Sequence, residues 1–376
     1  MSHRADNFDQ RPDGQSPSYG GPSYGTLLRA VDANTNRSME ALRLLEDVAR
    51  FVLDDAHLTG ICKSLRHDLM SVTQPFSDQS LVMRDTAGDV GCAIQTEQEY
   101  QRAELVDLIR ANSRRAQQAI RSLEECFKIL APMEAAFAEQ FRYRSYTLES
   151  ALVNTFESRR QLTTSLLYVL IDGCESMQAF SELVGILVGA DVDVLQLRDK
   201  SLADRDLLER AQYLSKAVRT TKTLAIMNDR PDIAAAAHAH GVHVGQDELS
   251  VQQVRTIVGP DLLIGVSTHS IEQARQAIQG GANYIGVGPV FSSPTKEFEK
   301  YPGTDLLRQV AAETSHPAFA IGGINAQNLP QVLDTGCKRI AVSSTVTTAQ
   351  DPAAAVRRLK EQLSVSETIE PLVTAD

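Results

Sequence analysis

Residues 192–200 read Val-Asp-Val-Leu-Gln-Leu-Arg-Asp-Lys, a mostly apolar segment that ends in charged side chains. Such Val-, Ile- and Leu-rich runs are typical of strands buried on both faces, as in parallel sheets. Similar segments recur up to residue 345, separated by helical stretches such as Leu202–Arg219 and Ile271–Gly280. The predicted strands are Leu166–Asp172, Val192–Lys200, Thr223–Asp229, Gly241–Gly245, Leu262–Thr268, Tyr284–Val290, Ala318–Ile324 and Arg339–Thr345. Eight strand–helix units in about 200 residues predict an α/β fold whose C-terminal part is a TIM (β/α)8 barrel.

The composition limits the classes of function. The chain has 376 residues and a net charge of −11, which argues against nucleic acid as a main partner, because that role usually needs a basic face. An anionic substrate is still compatible, since the local charge of a cleft decides its binding. No apolar run is long enough to cross a bilayer, so no membrane contact is expected. The five cysteines form no CxxC pair, which predicts free thiols and a cytoplasmic location.

Four segments differ in composition. Residues 1–25 are rich in Gly, Pro and Ser and are predicted to be disordered. Residues 26–162 carry apolar side chains at helical spacing and predict an all-α domain ahead of the barrel. Residues 163–364 form the predicted barrel domain, and residues 365–376 form a predicted loose tail. Without a Pro- or Gly-rich linker, the last helix is expected to run close to the first strand.

The helical segment contains an internal repeat. Its first copy is Ala33-Asn34-x-x-Arg37-x-x-x-Ala41-Leu42-Arg43-x-Leu45-Glu46, and its second is Ala111-Asn112-x-x-Arg115-x-x-x-Ala119-Ile120-Arg121-x-Leu123-Glu124. Two similar helices predict a pseudo-twofold pair packed on each other. An alternative is a favourable helix start used twice, with Asn as the N-cap and Arg–Glu pairs at i, i+3. That alternative explains single residues better than the joint match.

Polar residues collect where the predicted strands end, which is the active face of a barrel. Gln196, Arg198 and Lys200 alternate and are predicted to share one strand face, where polar groups are costly unless they meet a ligand. Arg and Lys would bind phosphate there. The alternative is a salt bridge to a neighbouring acid inside the barrel.

Acidic residues follow the next two predicted strands. Asn228-Asp229 ends the third strand, and Asp247-Glu248 follows the fourth. Adjacent strands would bring these carboxylates together, and carboxylates plus substrate phosphates are the usual way to hold Mg²⁺. N-capping of the following helices is the alternative role, and both roles can hold at once.

Three later segments predict anion binding. Ser293-Pro294-Thr295-Lys296 follows the sixth strand in a loop long enough to close over a site. Gly322-Gly323 and Ser343-Ser344 follow the seventh and eighth strands, where barrels place a phosphate on backbone N–H groups. His238, His240 and His243 lie close together, but their spacing fits a zinc site poorly.

Taken together, these motifs resemble the thiamine phosphate synthase family (thiamine-phosphate pyrophosphorylase) over about residues 165–362. The matching motifs are Gln196-Leu-Arg198-Asp-Lys200, Asn228-Asp229-Arg230, Gly241-Val-His243-Val-Gly245-Gln246, Gly265-Val-Ser267-Thr-His269, Gly286-Val-Gly288-Pro289, Thr295-Lys296, Ala320-Ile-Gly322-Gly323-Ile324 and Ser343-Ser344. The resemblance implies a TIM barrel that joins hydroxymethylpyrimidine diphosphate to thiazole phosphate. Thiamine phosphate and pyrophosphate are then the products, and the reaction is a Mg²⁺-assisted dissociative substitution.

The resemblance also implies roles for single residues. The pyrimidine diphosphate would contact Gln196, Arg198, Lys200, Asn228, Ser267 and Lys296, and the catalytic groups among these are Arg198, Lys200, Ser267 and Lys296. The thiazole phosphate would contact Ser293, Thr295, Gly323, Ser343 and Ser344. Mg²⁺ would bind Asp229 and Glu248. The sequence Gly245-Gln246-Asp247-Glu248 departs from the family pattern, so Asp247 is an alternative second ligand.

The helical segment resembles a hydroxymethylpyrimidine phosphate kinase family. The resemblance rests on Arg29-x-x-Asp32-x-Asn34-x-x-Arg37, Lys63-x-x-Arg66-His67, Arg84-Asp85-Thr86-x-x-Asp89-Val-Gly91 and Arg142-Tyr143. It implies that ATP is a substrate there. The segment has no P-loop; Asp85 and Asp89 are candidate Mg²⁺ ligands and the arginines candidate phosphate ligands, and turn and salt-bridge roles are the alternative for these residues. Two alternatives stay open: a thiazole tautomerase-like barrel, and a non-catalytic helical module for dimerisation or regulation. The sequence leaves the oligomeric state open, a homo-oligomer included.

Overall fold

The computed structural model describes residues 22–85, 103–292 and 301–367. The C-terminal part is a closed barrel of parallel strands in the order β1 to β8, with β8 pairing back to β1. The strands are β1 Leu167–Ile171, β2 Val194–Leu197, β3 Leu224–Asn228, β4 Gly241–Val244, β5 Leu263–Thr268, β6 Tyr284–Val287, β7 Ala318–Ile321 and β8 Ile340–Val342. The predicted barrel is therefore confirmed.

Helices surround the barrel and bury its outer face. They are α6 Met177–Gly189, α7 Asp204–Val218, α8 Pro231–Ala236, α9 Val251–Val258, α10 Ile271–Gln279, α11 Gly303–Glu313, α12 Leu329–Leu333, α13 Ser344–Thr347 and α14 Pro352–Glu367. Side chains such as Val169, Leu195 and Ile285 alternate outward from the strands and pack against these helices in one continuous core. A layer of buried side chains also fills the barrel interior, as expected for a packed rather than hollow barrel.

The second strand is shorter than predicted because a turn starts directly after Leu197. The Asp199 carboxylate accepts hydrogen bonds from the backbone N–H groups of Gly173 (3.0 Å), Ser201 (2.7 Å) and Leu202 (3.0 Å). An Asp side chain that bonds nearby backbone donors offers the chain an alternative to the sheet ladder. Burial alone would raise the pKa of Asp199, but these hydrogen bonds, together with one from the Ser201 hydroxyl, lower it to about 2.

This early turn corrects one prediction. Strand alternation does not place Gln196, Arg198 and Lys200 on one face, because only Gln196 lies within β2. Arg198 and Lys200 lie in the loop that follows. They reach the end of the barrel through the turn geometry and not through the pleat.

Helices also make up the described part of the N-terminal half, as predicted. The helices are α1 Pro22–Asp47, α2 Ala56–Thr73, α3 Ser77–Val82, α4 Leu105–Leu130 and α5 Pro132–Gln161, with a π-turn at Val48–Val52 and a 3₁₀ turn at Gln74–Phe76. α1 starts at Pro22, within the segment predicted to be disordered, because Pro is favoured in the first turn of a helix. α14 extends to Glu367, into the predicted tail. Within the described ranges, no helix has the length and apolar character needed to span a bilayer.

The internal repeat corresponds to two equivalent helix pairs. α1 packs on α4, while α2 and α5 flank them. Asn34 donates to the carbonyl of Ala30 at 2.8 Å, and Asn112 donates to that of Leu108 at 2.9 Å. Both asparagines lie inside their helices, so the N-cap interpretation is wrong. The helices begin upstream, at Pro22 and Leu105.

The acidic residue of each copy is buried against arginines. Glu46 accepts from Arg66 Nε at 3.0 Å, and Glu124 accepts from Arg142 Nε at 3.1 Å. The side chains of Glu46 and Glu124 are only 7% and 3% exposed. The i, i+3 pairs of the repeat are also present, since Arg43 Nη1 lies 3.4 Å from Glu46 Oε1 and Arg121 Nη1 lies 2.5 Å from Glu124 Oε1, so this part of the alternative is confirmed. Losing one partner of a buried pair leaves an uncompensated charge, so the repeated Arg–Glu pattern has a structural explanation.

The two halves are joined closely. α5 ends only a few residues before β1, and the connecting residue Leu162 is 1% exposed. Its side chain packs in the barrel interior with Tyr168, Tyr284 and Phe319, and its carbonyl accepts from Arg339 at 3.3 Å. The helical half therefore contributes a side chain to the core of the barrel.

We expect Leu162→Ala to lower the free energy of unfolding by about 2–5 kcal/mol, because it leaves a cavity at the base of the barrel. Leu81→Ala is the matched control, since Leu81 is 59% exposed and its truncation should change stability by less than about 0.5 kcal/mol. Urea unfolding followed by circular dichroism measures both. Equal midpoints for the two variants would show that Leu162 does not support the barrel.

Candidate active site at the C-terminal end of the barrel

A lysine and an aspartate meet at the C-terminal ends of β2 and β3. Lys200 Nζ lies 3.5 Å from Asp229 Oδ2. The Lys200 side chain is 62% exposed and the Asp229 side chain 23%, so the pair lies at the rim and not inside the barrel. An exposed pair contributes only about 0–1 kcal/mol to stability. Lys200 therefore does pair with a neighbouring acid, as the alternative predicted, but the pair lies outside the barrel interior and contributes little to stability.

Asp229 has an unusual backbone conformation. Its φ is 59°, in the left-handed region that few non-glycine residues adopt, and its N–H donates to the His243 carbonyl at 2.8 Å. Such strained residues cluster at functional sites. The capping alternative is not observed here, since the N-cap of α8 is Arg230 and no side chain caps that helix.

Two adjacent acidic residues, Asp247 and Glu248, follow β4. Asp247 and Glu248 are both exposed, and the Glu248 carboxylate folds back over Gly245, where a Cβ atom would overlap it. The next helix, α9, is capped by Ser250, which accepts from Gln253 N–H at 3.3 Å. Neither acid is therefore needed as the cap of α9.

The donor set at this edge suits Mg²⁺ better than zinc. β3 and β4 are neighbours, with Asn228 paired to His243, so Asp229 and the acids after β4 belong to adjacent strand ends. Within residues 22–85, 103–292 and 301–367, no three His, Cys, Asp or Glu side chains form a metal-binding group. Mg²⁺ needs only one or two carboxylates when substrate phosphates complete its coordination, which these residues can provide.

Two substitutions separate the candidates for the second ligand. If Glu248 is the ligand, Glu248→Gln should raise the Mg²⁺ concentration for half-maximal activity by at least about tenfold, while Asp247→Asn should not. A Mg²⁺ titration of each purified variant decides between them. An unchanged titration in both variants would exclude both acids.

Gln196 points into the barrel interior. It is 2% exposed, and its Nε2 donates to the Tyr168 hydroxyl at 3.0 Å. That hydroxyl lies 3.0 Å from the hydroxyl of Tyr284. Gln196 is therefore hydrogen-bonded to the side chains that fill the barrel interior, directly below the candidate site. Arg198, two residues later, is half-buried, and its backbone N–H donates to the Ile171 carbonyl at 2.8 Å.

Ser267 contacts His243, a motif residue for which no role in substrate binding was predicted. Its hydroxyl lies 2.9 Å from Nε2 of His243, and burial lowers the pKa of His243 to about 4, so the ring is neutral at pH 7. His240 is occupied elsewhere, since its Nδ1 accepts from the Ala225 N–H at 3.0 Å. His243 lies in β4 and Ser267 lies in the neighbouring β5. The order of the predicted strands, together with the position of each residue within its strand, could therefore have predicted this contact.

The backbone after β7 packs closely against neighbouring segments of chain, and a hydrogen bond links it to the loop after β8. Gly322 and Gly323 have φ of 106° and 61°, and a Cβ at Gly323 would overlap the Ser292 carbonyl. The Thr345 hydroxyl donates to the Ile324 carbonyl at 2.7 Å, which ties the two loops together. Ser343 and Ser344 therefore lie beside the Gly-Gly turn. The Ser343 hydroxyl also donates to Leu170 at 3.1 Å.

Some predicted site residues lie outside the described ranges. Ser293, Thr295 and Lys296 fall within residues 293–300. Their predicted roles in pyrophosphate and thiazole phosphate binding stay predictions.

The helical half brings part of its own motif together. Arg84 forms a two-pronged pair with Asp32, with Nε and Nη2 at 2.7 and 2.6 Å from the carboxylate oxygens. Arg29 donates to the Asp85 carbonyl at 3.2 Å. Asp89 lies outside the described residues. The motif residues of α1 and of the segment after α3 are therefore neighbours.

Both halves of the chain match known protein families. The family described as "Thiamine monophosphate synthase" matches residues 167–346, and the "ThiD2 family" matches residues 29–151. The chain is 46% identical over 332 residues to a thiamine-phosphate synthase of Rhodopirellula baltica, covering 85% of this chain and 88% of that protein. A thiamine-phosphate synthase of Nostoc sp. is 38% identical over 338 residues, covering 90% and 94%.

One solved structure matches about half of the chain. The thiamine phosphate pyrophosphorylase from Pyrococcus furiosus is 31% identical, with a TM-score of 0.48, over 54% of this chain and 96% of that one. The relatives of Rhodopirellula and Nostoc, in contrast, match nearly the whole chain, with both halves in one polypeptide. By that full-length similarity, the chain belongs to the thiamine-phosphate synthase family.

Proposed function

We propose that the barrel joins hydroxymethylpyrimidine diphosphate to thiazole phosphate, giving thiamine phosphate and pyrophosphate. The observation that carries this proposal is the meeting of Lys200 and Asp229 at the strand ends where the family motifs converge. A cation beside a carboxylate suits a substrate that carries a diphosphate and a divalent cation together. The family membership supports the same reaction.

The positively charged side chains would stabilise the leaving pyrophosphate. The bond between the pyrimidine methylene carbon and the diphosphate oxygen breaks, and pyrophosphate leaves with the bonding electrons. Arg198 and Lys200 would neutralise the charge that grows on those oxygens, and Lys296 and the Ser267 hydroxyl would add further contacts. Fixed positive charge aimed at developing negative charge is usually the largest contribution to catalysis.

Asp229 and Glu248 would hold Mg²⁺, with Asp247 as the alternative second ligand. Bound Mg²⁺ supplies additional charge stabilisation to the diphosphate oxygens. Lys200 lies 3.5 Å from Asp229, so its ammonium group would contact the same diphosphate directly.

The thiazole phosphate would bind at the ends of β7 and β8, across the end of the barrel from Asp229. Gly323, Ser343 and Ser344 would anchor its phosphate, together with Ser293 and Thr295. The thiazole nitrogen would then supply the electron pair for the new C–N bond. Gln196 and Asn228 would orient the pyrimidine, and no protein nucleophile takes part.

For the helical half, we propose phosphorylation of hydroxymethylpyrimidine phosphate. The γ-phosphoryl group of ATP would be transferred to a phosphate oxygen of the monophosphate, giving ADP and the diphosphate that the barrel consumes. The match of residues 29–151 to the ThiD2 family supports this activity, and the motif residues Asp32 and Arg84 lie together. The proposed domains are residues 26–162 and 163–364.

One assay tests both activities on the full-length protein. Thiazole phosphate, Mg²⁺ and ATP are supplied with the pyrimidine monophosphate in one reaction and with its diphosphate in another. Product from both substrates supports two catalytic halves acting in sequence. Product from the diphosphate alone refutes the kinase, whereas no product from either substrate refutes the synthase.

A structural role of the helical half is the second candidate, and the burial of Leu162 in the barrel favours it. This role predicts no ATP consumption that depends on the monophosphate. The barrel as a tautomerase-like enzyme would show no strict Mg²⁺ requirement. The proposed compartment is the cytoplasm, supported by the free thiols of the described Cys62, Cys126, Cys174 and Cys337.

A further inference from the structure

The helical half is docked on one face of the barrel. Asn283 donates from Nδ2 to Asn154 Oδ1 at 2.9 Å and to the Ser158 hydroxyl at 3.1 Å. The Thr155 hydroxyl lies 3.1 Å from Nδ1 of His316. The barrel residues in these contacts directly precede β6 and β7. This face is therefore formed by the N-terminal ends of the strands.

A second set of contacts lies on the same face. The Asp55 carboxylate, just ahead of α2, accepts from the Thr314 hydroxyl at 2.6 Å and from the Ser315 N–H at 3.1 Å. Arg159 of α5 donates to the Ser315 hydroxyl at 3.1 Å. Asp55 is 1% exposed, and its hydrogen bond with the Thr314 hydroxyl is buried. Buried and satisfied polar contacts of this kind fix one arrangement of the two halves.

The candidate synthase site lies at the other end of the same strands. Asn283 precedes β6, and Ser267 lies near the end of the neighbouring β5. A strand rises about 3.3 Å per residue, so the two faces are on the order of 15 Å apart. Gly322 and Ser343 are separated from the docked face in the same way, by β7 and β8.

The barrel interior closes the direct route between these faces. Leu162, Tyr168, Tyr284 and Phe319 are 1–3% exposed and pack together within the strands, all of which the structure describes. The rings of Tyr168 and Phe319 meet edge to face with centroids 5.2 Å apart. Passage of a diphosphate through this layer would require burying several charges among apolar side chains, which is prohibitively costly.

We propose that the pyrimidine diphosphate is released to bulk solvent between the two halves, and is not handed directly from one site to the other. This inference rests on the proposed kinase and synthase activities. In that case, fusion of the two halves stabilises the barrel and keeps the two activities in a one-to-one ratio. The intermediate equilibrates with any diphosphate already in solution.

An isotope-dilution experiment on the full-length protein tests this inference. The reaction contains labelled pyrimidine monophosphate, ATP, thiazole phosphate, Mg²⁺ and a pool of unlabelled pyrimidine diphosphate. Release predicts that newly formed thiamine phosphate has the same specific label as the diphosphate pool at each time. Without added pool, release also predicts a lag in product formation while diphosphate accumulates.

Direct transfer gives the opposite results. Product that carries more label than the pool, or product without a lag, would overturn the inference, whether transfer occurs within one chain or between copies. The kinase step is measured first, without thiazole phosphate. Absence of labelled diphosphate in that reaction refutes the kinase proposal, whereas excess label in the product refutes release alone.

Discussion

Lys200→Ala is expected to lower the turnover of thiamine phosphate formation by about 100- to 1,000-fold. Lys200 lies at the rim of the site beside Asp229, and its ammonium group would stabilise the departing pyrophosphate. Removal of one fixed donor to developing negative charge usually costs this much in turnover. Steady-state kinetics with the pyrimidine diphosphate as substrate measure the effect.

The stability of this variant should be nearly unchanged. Lys200 is exposed and its pair with Asp229 contributes at most about 1 kcal/mol, so thermal unfolding should stay close to that of the unchanged protein. Lys222→Ala is the matched control, because Lys222 is exposed and precedes β3 at the opposite end of the barrel. Turnover equal to that of the control would remove Lys200 from the catalytic groups.

Asp229→Asn is expected to raise the Mg²⁺ concentration for half-maximal activity by at least about 10- to 100-fold. Loss of groups that only support a metal ligand costs this much, and a direct ligand should cost no less. Asn tolerates the left-handed backbone that Asp229 adopts, so the substitution removes charge and preserves the fold. A Mg²⁺ titration at saturating substrates provides the measurement.

Asp334→Asn serves as the control for that titration. Asp334 is exposed at the C-terminal end of α12, and its substitution removes the same charge from the protein. Its Mg²⁺ dependence should match that of the unchanged protein. A titration of Asp229→Asn that coincides with the control would exclude Asp229 as a ligand.

The sequence was sufficient for the barrel because each strand is a short apolar run between helical stretches. Strand ends were harder to predict, and β2 shows why. The Arg198 N–H still donates to Ile171 of β1, but the Asp199 side chain bonds the backbone of the turn that follows, and this local competition with the sheet keeps the strand from continuing to Lys200. The position of Lys200 therefore depends on turn geometry that hydrophobic periodicity does not encode.

The helical half shows the same limit. The repeat correctly predicted two similar helices, yet Asn34 and Asn112 lie inside them, because favourable starts exist upstream at Pro22 and Leu105. The docked face could not be predicted, since it depends on single pairings between distant residues. Thr155 with His316 is one example. The contact of His243 with Ser267 is another, because it depends on which strands neighbour each other.

The most direct test of the central claim is the reaction of the barrel itself. The purified full-length protein is incubated with pyrimidine diphosphate, thiazole phosphate and Mg²⁺, and thiamine phosphate and pyrophosphate are quantified. We expect equal amounts of both products and their loss when Mg²⁺ is chelated. Absence of thiamine phosphate under these conditions, from protein that is folded by circular dichroism, would contradict that claim.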